Sequence, residues 1–274
     1  MHLIFQQYEE RLTRRGAKPR TLRNYRRTGV LLEESGLDPT TAKDWQLEEW
    51  LAGLPMAPRT KRMHAENLSA VCGYAVKRGV LERDPTDDIR LPREPDEEPK
   101  IVPNAELRRL LARVQHDEDE LMITLAIYTG LRKMELQNLK WSDCTPTTIT
   151  VRRGKGDKLR HVPVHPALSE VLLRSEARGE YVLRGRYADR PISQAGIHHR
   201  LDRVRGDVDC AFHDFRRTVA TSLAENDVAE RIIDKIMGWA PRTVRSRHYV
   251  RVADASMQEA ILKLYADDPL SRAA

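Results

Sequence analysis

The stretch MGWAPRTVRSRHYVRV, residues 237–252, sets one phenol, Tyr249, among Arg242, Arg245, Arg247, His248 and Arg251. Two readings fit that composition. In one, Tyr249 is a half-buried helix residue and the arginines are a solvated face. In the other, the arginines grip a phosphate and the phenol attacks it. Arginine suits that task because it stays charged and offers a fork of N–H donors to paired oxygens. Nearby positive charge also helps a phenol of pKa about 10 lose its proton.

Other patches could supply the remaining groups. TGLRKMEL puts Arg132 just after a turn, where a helix start can project it, and Glu135 three residues on can brace it. RRGKGDK puts Lys155 at the tip of a candidate hairpin. HDFRRTVAT puts His213 and Arg216 three apart, facing one way if helical, with Phe215 and Val219 turned to a core. Gly238 and Trp239 complete the set. Displacement at a phosphodiester loads negative charge onto the non-bridging oxygens, and many enzymes meet it with metal ions. His161–His165 and His198–His199 resemble metal pairs only weakly, and no Asp/Glu/His cluster with ligand spacing appears. The cations are therefore expected from side chains, with no metal and no other cofactor.

Positioning these groups needs helices and one hairpin. Apolar spacing before residue 90 predicts about four helices: Phe5, Tyr8 and Leu12; Leu22, Tyr25 and Val30 after Thr21; Trp45, Leu47, Trp50, Leu51 and Leu54; Met63, Leu68, Val71, Cys72 and Ala75. IRLPREPDEEPKIVP, with four prolines and an acidic cluster, reads as a linker. The expected division is a helical domain at 1–90, a linker at 91–103 and a second domain at 104–274. There Asn104 is a candidate N-cap, and ELMITLAIY is a helix that meets Thr129–Gly130 and restarts as LRKMELQNL. TTITVRR and KLRHVPV alternate like strands around GKGD at 154–157. Four further helical segments follow, the last of which contains Tyr265. The expected fold class is mainly α with a small β-sheet. The final helix, through Ile261, Leu262 and Leu264, fits either its own domain or a neighbouring protomer. The small, polar end SRAA fits a degradation signal.

The chain has 274 residues, 40% of them hydrophobic and 32% charged, enough for two domains with real cores. Cys72, Cys144 and Cys210 are scattered and odd in number, so reduced thiols are expected. No apolar run reaches the roughly 20 residues of a membrane span, and the start has no signal-peptide pattern. A cytoplasmic protein with no membrane partner is expected. The net charge of +6 favours a polyanion. Eight Lys or Arg and no acid fall within residues 11–27. Within that run Arg14, Arg15, Lys18, Arg20, Arg23, Arg26 and Arg27, with Arg242 and Arg245 later, are the candidate DNA-contacting residues, the run itself forming a DNA-facing helix.

In order and spacing these motifs resemble the tyrosine recombinases of the phage integrase family. The resemblance rests on TGLRKMEL, the lysine of GKG, HDFR, GW and the tyrosine ten residues after the tryptophan. LKWSD and RHVPV also resemble the family's flanking segments, and the match covers most of 100–255. Trp239 stands where a histidine is usual, and nine residues to the tyrosine is the commoner spacing. The resemblance implies a SAM-like, helical core-binding domain and a mostly helical mixed α/β catalytic domain that clamp double-stranded DNA. It implies that Arg132 and Arg216 bind the phosphate, Tyr249 attacks it, His213 relays protons, Lys155 protonates the departing 5′ oxygen and Trp239 donates its indole N–H. It further implies a tetramer on core attachment sites, monomeric or weakly associated when free, with room for an accessory directionality factor. The expected activity is phage or mobile-element integration in a bacterial cell. A Xer-like resolvase, a type IB topoisomerase and a DNA-binding regulator are the alternatives.

Overall fold

The computed structural model describes residues 1–89, 98–152, 159–175, 177–185, 187, 190–239, 253–265 and 267–270. The chain divides into two compact units, Met1–Glu97 and Glu98–Ala274. In the first, α1 (Leu3–Arg14), α2 (Pro19–Glu34), α3 (Asp44–Gly53) and α4 (Pro58–Lys77) enclose a core that includes Phe5, Leu32, Leu47, Leu68, Val71 and Cys72.

The basic run 11–27 is not one helix. It spans the end of α1, a turn with Gly16 at φ +73°, and the first half of α2. Pro19 sets this break: it lacks an N–H, so it suits the first position of a new helix and not the interior of a long one. The buried face of α2 also differs from expectation. Thr28, Gly29 and Leu32 are inside, while Val30 is exposed; in α3, Trp45 is exposed too. Polar residues decide part of this. Thr28 Oγ1 lies 2.8 Å from His64 Nδ1 and accepts from Asn67 Nδ2 at 3.0 Å, a buried trio that apolar periodicity does not register.

The second unit contains α5 (Asn104–Ala112), α6 (Asp117–Thr129), α7 (Lys133–Gln137), β1 (Thr148–Val151), β2 (Arg160–Pro163), α8 (Pro166–Arg174), α9 (Gln194–Arg205), α10 (Phe212–Glu225), α11 (Glu230–Met237) and α12 (Asp254–Ile261). Helix α6 is buried from Leu121 to Thr129 without a gap, so it is the central strut, packed by α5, α8, α9 and α10. Strands β1 and β2 pair antiparallel, Thr148 facing Pro163 and Val151 facing Arg160.

Three further expectations change here. Residues 98–103, counted with the linker, belong to the second unit: Val102 is buried and donates its N–H to Thr218 Oγ1 at 2.8 Å. Asn104 is not the cap of α5, which follows Pro103; its side-chain amide donates to the Asp267 carbonyl instead. Tyr265 lies beyond α12 in left-handed backbone, buried, with its hydroxyl on the Ile127 carbonyl at 2.6 Å. Ile261 and Leu264 are buried in their own unit, and Leu262 stays exposed. No described helix is long and apolar enough to cross a membrane. The SRAA end lies outside the described residues.

Candidate active site

The site begins where α6 must stop. Gly130 caps it in left-handed backbone, φ +57°, and returns its N–H to Ala126 O at 3.1 Å. A Cβ there would stand 2.7 Å from Met237 Cε, a flexible side-chain end able to shift, so it is the left-handed backbone that favours glycine. The chain then turns, buries Leu131, and presents Arg132 as the residue before α7. Glu135 closes this start: its carboxylate accepts from the Arg132 N–H at 2.8 Å and from Arg132 Nη1 at 2.9 Å.

Glu135 also holds a residue that sequence reasoning missed. Arg160 opens β2 and is almost fully buried. Its Nη1 and Nη2 donate to the two Glu135 oxygens at 2.8 and 2.7 Å. Burial alone would raise the Glu135 pKa, but the bonds and charge of Arg160, joined by Arg132, hold it down to about 2. The signal was present: Arg160 shares the strand face of Val162 and Val164, and a charge pointing inward requires a partner.

Arg216 comes from α10, with Phe215 and Val219 in the core as the spacing predicted. Only 2% of Arg216 is exposed. Its Nη1 donates to Gly130 O at 2.7 Å and its Nη2 to Met237 O. Burial, then the charges of Arg132 and Arg160, push its pKa down to about 9, so it remains cationic at neutral pH.

The end of α11 gathers all three guanidinium groups. Ile236 O accepts from Arg160 Nε at 3.2 Å, Met237 O from Arg216, and Gly238 O approaches Arg132 Nη2 at 3.4 Å. These carbonyls have no partner within the helix and form its negative pole, so they suit arginine. Gly238 is again left-handed, φ +62°, and a Cβ there would stand 2.7 Å from Arg160 Cδ. Trp239 follows, its ring centroid 5.6 Å from Arg216 Cζ, within cation–π range. It is 42% exposed, so its ring lies at the surface of the site and not in the core.

His213 is exposed one turn before Arg216. Desolvation, then the charges of Arg217, Arg216 and Arg132, lower its pKa, which leaves the ring neutral and able to take a proton. The structure thus brings Arg132, Glu135, Arg216 and Trp239 together, sets His213 within reach of the arginines' field, and adds Arg160. Lys155, Arg242, Arg245 and Tyr249 lie outside the described residues. Arg14, Arg15, Lys18, Arg20, Arg23, Arg26 and Arg27 are all exposed in the first unit. Two of them are engaged: Arg26 pairs with Glu9 and Arg14 lies 3.5 Å from Glu10. No group of three or more His, Cys, Asp or Glu suited to a metal occurs among the described residues.

Comparison with known proteins agrees with this geometry. The phage integrase family profile matches residues 100–256. The tyrosine recombinase XerC of Mycobacterium tuberculosis is 27% identical over 250 residues, covering 82% of this chain and 83% of that protein. The tyrosine recombinase XerA of Pyrococcus furiosus is 26% identical over 270 residues, 94% of this chain and 92% of that one. In fold, the chain is similar to a lambda integrase dimer bound to a COC′ core site, with TM-score 0.74, 19% identity, and coverage of 93% of this chain and 99% of that one. Matched over more than half its length and carrying the arginine cluster just described, the chain belongs to the phage integrase family and is a tyrosine recombinase, an enzyme that cuts and rejoins DNA.

Proposed function

We propose that the protein joins a phage or mobile element to a bacterial chromosome, using the arginine cluster to hold the scissile phosphate and Tyr249 to attack it. The observation that carries this reading is charge. Arg132, Arg160 and Arg216 converge around a single carboxylate, Glu135, which leaves two positive charges in excess. One phosphodiester and the charge that develops in its transition state offset that excess. The phenol oxygen forms a bond to phosphorus as the bond to the 5′ oxygen breaks. The tyrosine proton goes to His213, and Lys155 protonates the departing oxygen. The product is a 3′-phosphotyrosyl link and a free 5′ hydroxyl. Attack by a 5′ hydroxyl from a second duplex reverses the step and exchanges strands without ATP or metal. Four protomers on paired core sites, with a directionality factor able to bias the outcome, complete the proposal.

A paired substitution tests it. Tyr249→Phe should form no covalent protein–DNA complex on a core-site duplex while keeping its DNA affinity. Arg23→Glu should weaken binding and flatten its salt dependence, by about one unit of log–log slope per lost phosphate contact. A Tyr249→Phe protein that still exchanges strands ends the assignment. The XerC and XerA matches across most of the chain favour a second reading, a Xer-like resolvase. Recombination between two identical sites, and not between two different attachment sites, would select it.

A further inference from the structure

The three guanidinium groups at the end of α11 are not alike. The Arg132 side chain is 30% exposed and that of Arg160 only 6%. Arg160 is also closed in. Its Nε donates to Ile236 O, and its fork lies on both oxygens of Glu135, a carboxylate 3% exposed. Arg216 is as buried, but two carbonyls hold it, and these leave its charge in place.

The Glu135 carboxylate accepts four hydrogen bonds. Oε1 takes Arg160 Nη1 at 2.8 Å and Arg132 Nη1 at 2.9 Å; Oε2 takes Arg160 Nη2 at 2.7 Å and the Arg132 N–H at 2.8 Å. One carboxylate thus meets two arginines, and one negative charge cannot cancel both. Burial opposes the charged form of Glu135, and Arg160, by hydrogen bond and by charge, is the largest influence that restores it. The buried pair is neutral as a whole, so Glu135 can steer Arg132 without cancelling it. Stability alone is a weak reason for such a pair, because desolvation of both ions offsets much of their attraction.

We propose that Arg160 is a positioning residue for DNA cleavage: it does not touch the DNA, but neutralises and orients Glu135 so that Arg132 presents its full charge to the scissile phosphate. The inference rests on the reading of Arg132 as a phosphate ligand. Without Arg160, the carboxylate would pair with Arg132, cancel its charge and repel the phosphate. The bond to Ile236 O adds a second constraint, since it ties β2 to the carbonyls that also meet Arg216 and Arg132.

The test is single-turnover cleavage at saturating core-site duplex, on protein shown by circular dichroism to be folded at the assay temperature. Arg160→Met should cleave about a hundredfold more slowly, the scale of a displacement of about 1 Å in the reacting geometry, with little change in DNA affinity. Arg160→Met combined with Glu135→Gln removes both buried charges and leaves an amide oxygen to accept the Arg132 N–H. This double variant should cleave about tenfold faster than Arg160→Met alone, a coupling expected of residues in contact. A role in packing alone predicts no such recovery, so an equal or slower rate in the double variant overturns the proposal. Arg160→Lys keeps the charge, but one ammonium cannot hold both carboxylate oxygens as a fork does, so it should cleave about tenfold more slowly than the parent. It carries the test if Arg160→Met does not fold, and a rate within about twofold of the parent overturns the proposal. Arg132→Met separates the two ideas. Cleavage at the parent rate in Arg132→Met removes the phosphate-ligand reading and this inference with it. Loss of cleavage in Arg132→Met beside a parental rate in Arg160→Met removes this inference alone.

Discussion

Arg216→Lys should slow formation of the covalent protein–DNA complex by at least about a hundredfold, the scale on which one preorganised donor to a developing oxyanion acts. Two physical losses combine. Arg216 reaches its position through two carbonyls, Gly130 O and Met237 O, and a lysine ammonium cannot bridge both and still offer an N–H to phosphate. The pocket also penalises charge. Burial and the neighbouring arginines already lower the arginine's pKa to about 9. Lysine begins from a lower intrinsic value, so the same surroundings favour its neutral form. The measurement is single-turnover cleavage of a nicked core-site duplex that traps the tyrosyl link. DNA affinity should fall far less than the rate, because the remaining basic surface is intact. A lysine variant that cleaves within twofold of the parent would remove Arg216 from the chemistry.

Glu135→Gln should destabilise the catalytic unit by about 3 kcal/mol at neutral pH, the cost of removing one partner of a buried ion pair. Arg160 is the reason. It is buried, takes both carboxylate oxygens, and would be left with a single neutral acceptor. The effect carries a pH signature. The Glu135 carboxyl is held down to about 2 from an unfolded value near 4.5. Its stabilisation is therefore complete above about 4.5 and is lost as the pH falls towards 2. The stability gap between parent and variant, read from urea unfolding with hydrogen exchange in α6 as the reporter, should be wide at pH 7 and narrower at pH 3. A gap that is absent at pH 7, or unchanged at pH 3, would contradict the buried pair. Cleavage should suffer as well, since the same carboxylate orients Arg132.

Much of the site was legible because its motifs are local. Arg132 and Glu135 lie within one helical turn, as do His213 and Arg216, so spacing alone predicts which side chains share a face. Arg160 escaped because its partner lies 25 residues away, and the alternation of β2 was used to identify a strand and not to ask which residue pointed inward. Pro19 divides the basic run 11–27 between α1 and α2, as the apolar spacing on either side of it predicts, so its charges do not lie along a single DNA-facing helix. Val30 failed because Thr28, His64 and Asn67 bury a polar trio, which turns α2 away from the face its apolar residues suggest.

By itself the sequence determined the mainly α fold class, the β1 and β2 strands and the family. These depend on local period and on motif order, both written along the chain. Only the tertiary structure decided how three guanidinium groups tolerate one another. They converge on the end of α11, where three successive carbonyls face them, with Glu135 between Arg132 and Arg160. Like charges are held close by dipoles and a carboxylate from distant segments, and no one-dimensional pattern records which segments fold back to meet them.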